Sequence, residues 1–256
     1  MSIARVLALG WWLNLKILAR SAFDGILGVV WPLFFATIAF FMYGQGSSDT
    51  TLLSASLGAS VMGVWSATST SASSAIQRQR RQGTLELLVA APRHFSLVLL
   101  PITVAMSTIG LYSMVATLLW GRFLFGIHVT IASLPAFVLA VPVTVVSVGM
   151  LGFLLSVTVV RYRTAWALGN ALEYPVWLVC GFLVPLQVLP DWVRPISWLL
   201  APTWGINAIR ESALGGNPWP DLALCAGLAG VYAAVGVAFT NTVLHSARSR
   251  ATLALT

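Results

Sequence analysis

Apolar residues in this chain run in long, nearly unbroken stretches, not in the alternating or one-sided patterns of soluble strands and helices. A helix needs about 20 apolar residues to cross a bilayer core. Six stretches meet that length: Asp24 to Tyr43, Leu52 to Ile76, the segment between His94 and Arg122, the segment between His128 and Arg161, Ala165 to Val184, and Leu222 to His245. Lipid offers no water to an open backbone, so each is expected to be a helix. The expected fold is an all-α membrane protein with six transmembrane helices, carried by a single transmembrane domain over residues 1–256.

Three segments depart from this pattern. Residues 1–22 are short and amphipathic. At about 100° per residue, Arg5, Lys16 and Arg20 fall within roughly 60° of one another, and the rest of the wheel is mostly Leu, Ile, Ala and Trp. That predicts an interfacial helix with its cations near anionic headgroups. The first long apolar run carries no Ala-x-Ala cleavage site, so the N-terminus is expected to stay attached. Residues 77–92 hold the densest charge in the chain. Arg78, Arg81, Gln82 and Leu85 follow i, i+3, i+4, i+7 spacing, which predicts a helix over Gln77 to Leu87, stopped by Pro92. Residues 185–216 are apolar and Trp-rich but broken by Pro185, Pro190, Pro195 and Pro202. No piece spans, so two short helices that enter the outer leaflet and return are expected, with Trp192, Trp198 and Trp204 at interfacial depth.

Composition agrees. The chain is 58% hydrophobic and only 8% charged, against about 25% charged in a soluble domain. The net charge of +7 follows topology, not a nucleic-acid groove. With both termini inside, the inner segments hold 11 of the 14 basic residues and the outer segments only Arg122, Arg194 and Arg210. The positive-inside rule then favours cytoplasmic termini.

Candidate chemistry is sparse. Between Thr50 and Ser74 stand twelve Ser or Thr residues, which favour close helix packing. His94, His128 and His245 lie apart at span edges, so no metal site is expected. Cys180 and Cys225 read as buried small hydrophobes. No serine has a positioned base, and no phosphate-loop motif is present, the only lysine being Lys16. Glu173 is the acid deepest in a span, with Asn170 one turn before it. It fits either a polar patch on a transport path or an internal pair with Arg163.

The order of the inner loop adds a further signal: basic residues, then Gly83-Thr84-Leu85-Glu86, an apolar pair, and Ala91-Pro92. It resembles the cytoplasmic signature of the ABC type-2 transporter permeases, the membrane subunits of one class of bacterial exporter. Pro175 through Gly216, with Pro185, Pro190, Trp192, Pro202 and Arg210, resembles the second characteristic region of that family. The resemblance covers nearly the whole chain.

The resemblance implies a non-catalytic subunit in the bacterial plasma membrane that forms a pathway for an amphipathic drug, lipid or glycolipid. A separate ATPase, in two copies, would bind ATP and Mg and receive a coupling helix carrying Arg78, Arg81, Gln82, Gly83, Thr84, Leu85 and Glu86. Glu86 is expected to pair with Lys16 or Arg20. A second permease, identical or homologous, would complete the pathway, lined by spans one, two and five. The lining candidates are then Phe34, Phe35, Trp65, Asn170, Glu173 and Trp177. The competing readings are an ion-coupled secondary transporter with Glu173 as proton carrier, and a non-transporting scaffold or immunity protein.

Overall fold

The computed structural model describes residues 3–18, 30, 32–38, 40–41, 49–81, 83, 94–128, 130–161, 166–183, 186 and 189–250. Among them it is all-helical, with α1 (Ile3–Leu18), α2 (Asp49–Arg81), α3 (Ser96–Phe125), α4 (Leu134–Arg161), α5 (Trp166–Val179), α6 (Val193–Trp198), α7 (Ala201–Leu214) and α8 (Trp219–Arg250). Residues 32–38, within the expected first span, are also helical. Among the described residues, three helices are long and apolar enough to cross a membrane by length and composition: Ser96–Phe125, Leu134–Thr158 and Trp219–Thr242.

The core is built on close approaches at small residues. A Cβ on Gly63 would sit 2.4 Å from Ser113 Oγ, and one on Gly110 would sit 2.6 Å from the Val64 backbone. The Thr68 hydroxyl reaches Ser107 Oγ at 3.0 Å. Partners on α3 descend in number as those on α2 ascend, so the two helices are antiparallel. The hydroxyl-rich α2 therefore packs as its composition predicts: Ser60 and Thr68 return their hydroxyls to Leu57 O and Val64 O, and small surfaces face the neighbours. Gly149 against Val104, and Gly152 against Thr68, bring α4 onto the same pair.

One end of the bundle gathers the start of α2, the end of α3, the starts of α4 and α8, and the end of α7. Ala132 and Ser133, before α4, donate backbone N–H bonds to Ala213 O and Ser212 O at 3.1 and 3.0 Å. The opposite end gathers Arg81, Ser96, Arg161 and Trp166.

α1 docks on α3. Gly10 lies against Pro101, and Trp11 Nε1 donates to Thr108 Oγ1 at 3.1 Å. Thr108 is about 18 Å along α3 from Ser96, so one side of α1 is committed to protein. Leu9, Trp12, Leu13 and Ile17 stay exposed on the other, with Arg5 and Lys16 exposed beside them.

Two expected boundaries are corrected. Gln77 does not open a separate helix. Residues 77–81 are the last turns of α2, a helix of 33 residues and about 50 Å. Gln and Arg are good helix formers, and no Gly or Pro interrupts them before Gly83, which has φ 68. The fifth span does not run helically to Val184. α5 ends at Val179, after 14 residues, in a Schellman motif: Phe182 N–H bonds Trp177 O at 3.1 Å, Gly181 N–H bonds Leu178 O at 3.0 Å, and Gly181 adopts φ 73.

Candidate functional site: a carboxylate and aromatic cluster beside a helix-ending turn

Ser66 lies near the middle of α2, about 25 Å from Asp49 and about 22 Å from Arg81. Its hydroxyl donates to Glu173 Oε1 of α5 at 2.6 Å. Glu173 is half-buried. One turn later on the same face, the Trp177 ring meets Phe35 at 4.7 Å and 71°, and Tyr174 at 5.0 Å and 77°. Phe35 also touches Tyr174 at 6.2 Å and Phe34 at 5.6 Å. These are edge-to-face contacts, which place positive ring edges on negative faces. Trp65 and Trp177 are 1% and 4% exposed and belong to one apolar cluster with Phe35. Neither indole N–H has a partner among the described residues.

Five of the six lining candidates thus converge: Phe34, Phe35, Trp65, Glu173 and Trp177. Asn170 is exposed one turn earlier on α5. Sequence reasoning missed Ser66 and Tyr174. The signal for Ser66 was present, a hydroxyl on a span rich in them, but only a neighbouring helix could single it out.

Arg210 of α7 organises the end of α5. Its Nη1 donates to Gly181 O at 2.9 Å, its Nη2 to Phe182 O at 3.0 Å, and its Nε to Ser54 O at 3.3 Å. A helix ending inside the bundle leaves carbonyls without intrahelical donors. Ser197 Oγ donates to one of these, Val179 O, at 2.5 Å, and Arg210 supplies donors to the two carbonyls of the turn that follows. A Cβ at Gly58 would lie 1.8 Å from Phe182 O and 2.7 Å from Arg210 Nη2, so this crossing needs glycine.

The turn between α6 and α7 is held from α8. Tyr232 accepts the Ala201 N–H at 3.0 Å and donates to Leu199 O. Tyr232 is about 20 Å along α8 from Trp219. From there α7 runs back to the end where α4 begins, passing Thr144 at Gly205. Pro202 is buried in its first turn, while Pro190, Trp192 and Trp198 are exposed. The proline-broken segment therefore forms the expected two short helices. Asp191 and Arg194 form an exposed pair at 3.3 Å.

Of the remaining candidates, Arg78 and Arg81 lie on the last turns of α2, and Gly83 is exposed just beyond. Arg20, Gln82, Thr84, Leu85, Glu86 and Pro185 fall outside the described residues, as does the expected Glu86 pairing. Among the described residues no cluster of His, Cys, Asp or Glu could hold a metal ion.

A family model for the ABC-2 type transporter matches residues 5–214, from the first helix to the end of α7. The chain belongs to the ABC-2 type transporter family. It is an integral membrane protein and the membrane subunit of an ABC transporter, a non-catalytic transport subunit of a kind that normally works with an ATPase. Comparison with curated proteins returned no match. The match takes in both the carboxylate–aromatic cluster and the Arg210 turn, so both are features of the permease region itself.

Proposed function

We propose that this chain forms the translocation pathway of an ATP-driven exporter for amphipathic substrates: drug-like molecules, lipids or glycolipids. The observation that carries the reading is Glu173, held by Ser66 beside the Phe35–Tyr174–Trp177 rings near the middle of α2. An ionisable group at membrane depth is costly and marks a substrate or ion path. The aromatic walls suit the apolar body of an amphiphile.

In this reading residues 1–256 form one permease domain with six spans in a bacterial plasma membrane, and both termini are cytoplasmic. The end of α2 with residues 82–86 is the mechanical handle. Arg78, Arg81, Gln82, Gly83, Thr84, Leu85 and Glu86 engage the ATPase, with Arg5, Lys16 and Arg20 alongside at the inner surface. Two ATPase subunits bind ATP and Mg, and a second permease, identical or homologous, closes the pathway. The basic residues that end α2, and the length of that helix, support this arrangement. α6 and α7 form the outer re-entrant segment, an assignment supported by the depth at which Tyr232 holds their turn.

Co-purification tests the assembly. Tagged full-length chain is expected to retain an ABC ATPase, and reversing the charge of Arg78 and Arg81 together is expected to weaken that retention by about ten-fold or more. Unchanged retention, with the double variant still folded, would contradict the coupling assignment.

A further inference from the structure

Of the seven acidic residues, Glu173 is the one the sequence places well inside a span. Its carboxylate is engaged by a neutral hydroxyl, Ser66 Oγ, at 2.6 Å. Among the described residues no lysine or arginine pairs with it, the one described ion pair being Arg194 with Asp191. A half-buried carboxylate held this way keeps acceptor capacity, since the ionised group offers about four lone-pair sites. Its surroundings reinforce the sign. Tyr174 is 53% exposed and Phe34 is 55% exposed, so the ring cluster that begins at Tyr174, the residue after Glu173, is open on one side. Ring faces carry negative quadrupole density and attract cations. Carboxylate and rings therefore act together: they favour a positive charge carried on an apolar body and repel a negative one.

Resting on the reading that this face lines the pathway, we infer that Glu173 and Tyr174, backed by Phe35 and the buried Trp177, form a recognition site for lipophilic organic cations. Ser66 is the positioning residue that holds the carboxylate. Glu173 supplies the charge term, and the rings supply apolar contact and cation–π attraction. Anionic lipids and acidic glycolipids are then disfavoured among amphiphiles.

The test uses tetraphenylphosphonium and tetraphenylborate, two probes of matched size and shape and opposite charge. Equilibrium binding is measured on the full chain with its ATPase in lipid nanodiscs, each variant being compared in identical lipid. Glu173→Gln keeps an acceptor for Ser66 and removes only the charge. It is expected to weaken phosphonium binding by about ten-fold or more while leaving borate binding unchanged or stronger. Glu173→Asp is expected to keep the preference for the cation. Tyr174→Leu is expected to weaken the phosphonium several-fold more than the borate. Phosphonium binding equal in wild type and Glu173→Gln would overturn the inference, as would wild-type binding that ignores probe charge. ATP-driven movement of a neutral amphiphile separates the two claims. If it persists in Glu173→Gln while charge selectivity was never present, the cation site fails and the pathway stands. If Phe35→Ala, Tyr174→Leu and Trp177→Leu leave all movement untouched, the pathway reading fails with it.

Discussion

Arg210 places its Nη1 2.9 Å from the carbonyl oxygen of Gly181, the left-handed residue of the turn that closes α5. One residue on, Phe182 O receives Nη2. A helix can stop inside an apolar bundle only if its last carbonyls find donors. One side chain from a later helix supplies donors to the turn that stops α5 and, through Ser54, ties α2 to the same point.

Arg210→Ala is therefore expected to destabilise the protein by about 2–4 kcal/mol, because three carbonyls lose a charge-assisted donor in a half-buried site. Arg210→Lys restores the charge but not the fork, and is expected to recover only part of the loss. Thermal unfolding of purified protein in detergent measures both; an unchanged Tm in the alanine variant would contradict the assignment.

Gly58→Ala tests the same crossing sterically. Its Cβ would lie 1.8 Å from Phe182 O, so α2 and the α5 turn must separate, at an expected cost of about 1–3 kcal/mol. Gly227→Ala is the control. No atom lies within 4 Å of a Cβ there, and alanine gains up to about 1 kcal/mol in helix propensity. The two substitutions are expected to move Tm in opposite directions.

Tyr232→Phe removes the hydroxyl that accepts from Ala201 and donates to Leu199. The Ala201 N–H is then left buried, at an expected cost of about 1–3 kcal/mol. Hydrogen exchange localises the effect: the amides at the start of α7 are expected to exchange faster, and those of α3 to stay protected.

How far the sequence reaches follows from the kind of interaction involved. Apolar run length foretold α3, α4 and α8 because each is long enough to span. Prolines foretold the broken segment that becomes α6 and α7, since they act locally on the backbone. The end of α5 was not legible. Gly181 and Phe182 sit in an apolar run that reads as helix, and the donor that lets the chain stop there comes from Arg210, 29 residues away from Gly181. The end of α2 was misplaced for the opposite reason. A change in polarity at Gln77 looked like a boundary, but polarity marks where the bilayer ends, and only Gly83 marks where the helix ends. The Ser66–Glu173 bond spans 107 residues. Residue type suggested each partner separately, and packing alone joined them.

The central claim, that this ABC-2 permease subunit moves an amphiphile at the expense of ATP, is tested most directly in sealed proteoliposomes holding the chain and its ATPase. Movement of a fluorescent amphiphile is followed with ATP and Mg, with vanadate added, and with the proton gradient collapsed by an ionophore. The account expects movement that needs ATP, stops with vanadate and survives loss of the gradient. Movement that ignores vanadate and vanishes with the gradient would contradict it, and would make Glu173 a proton carrier instead.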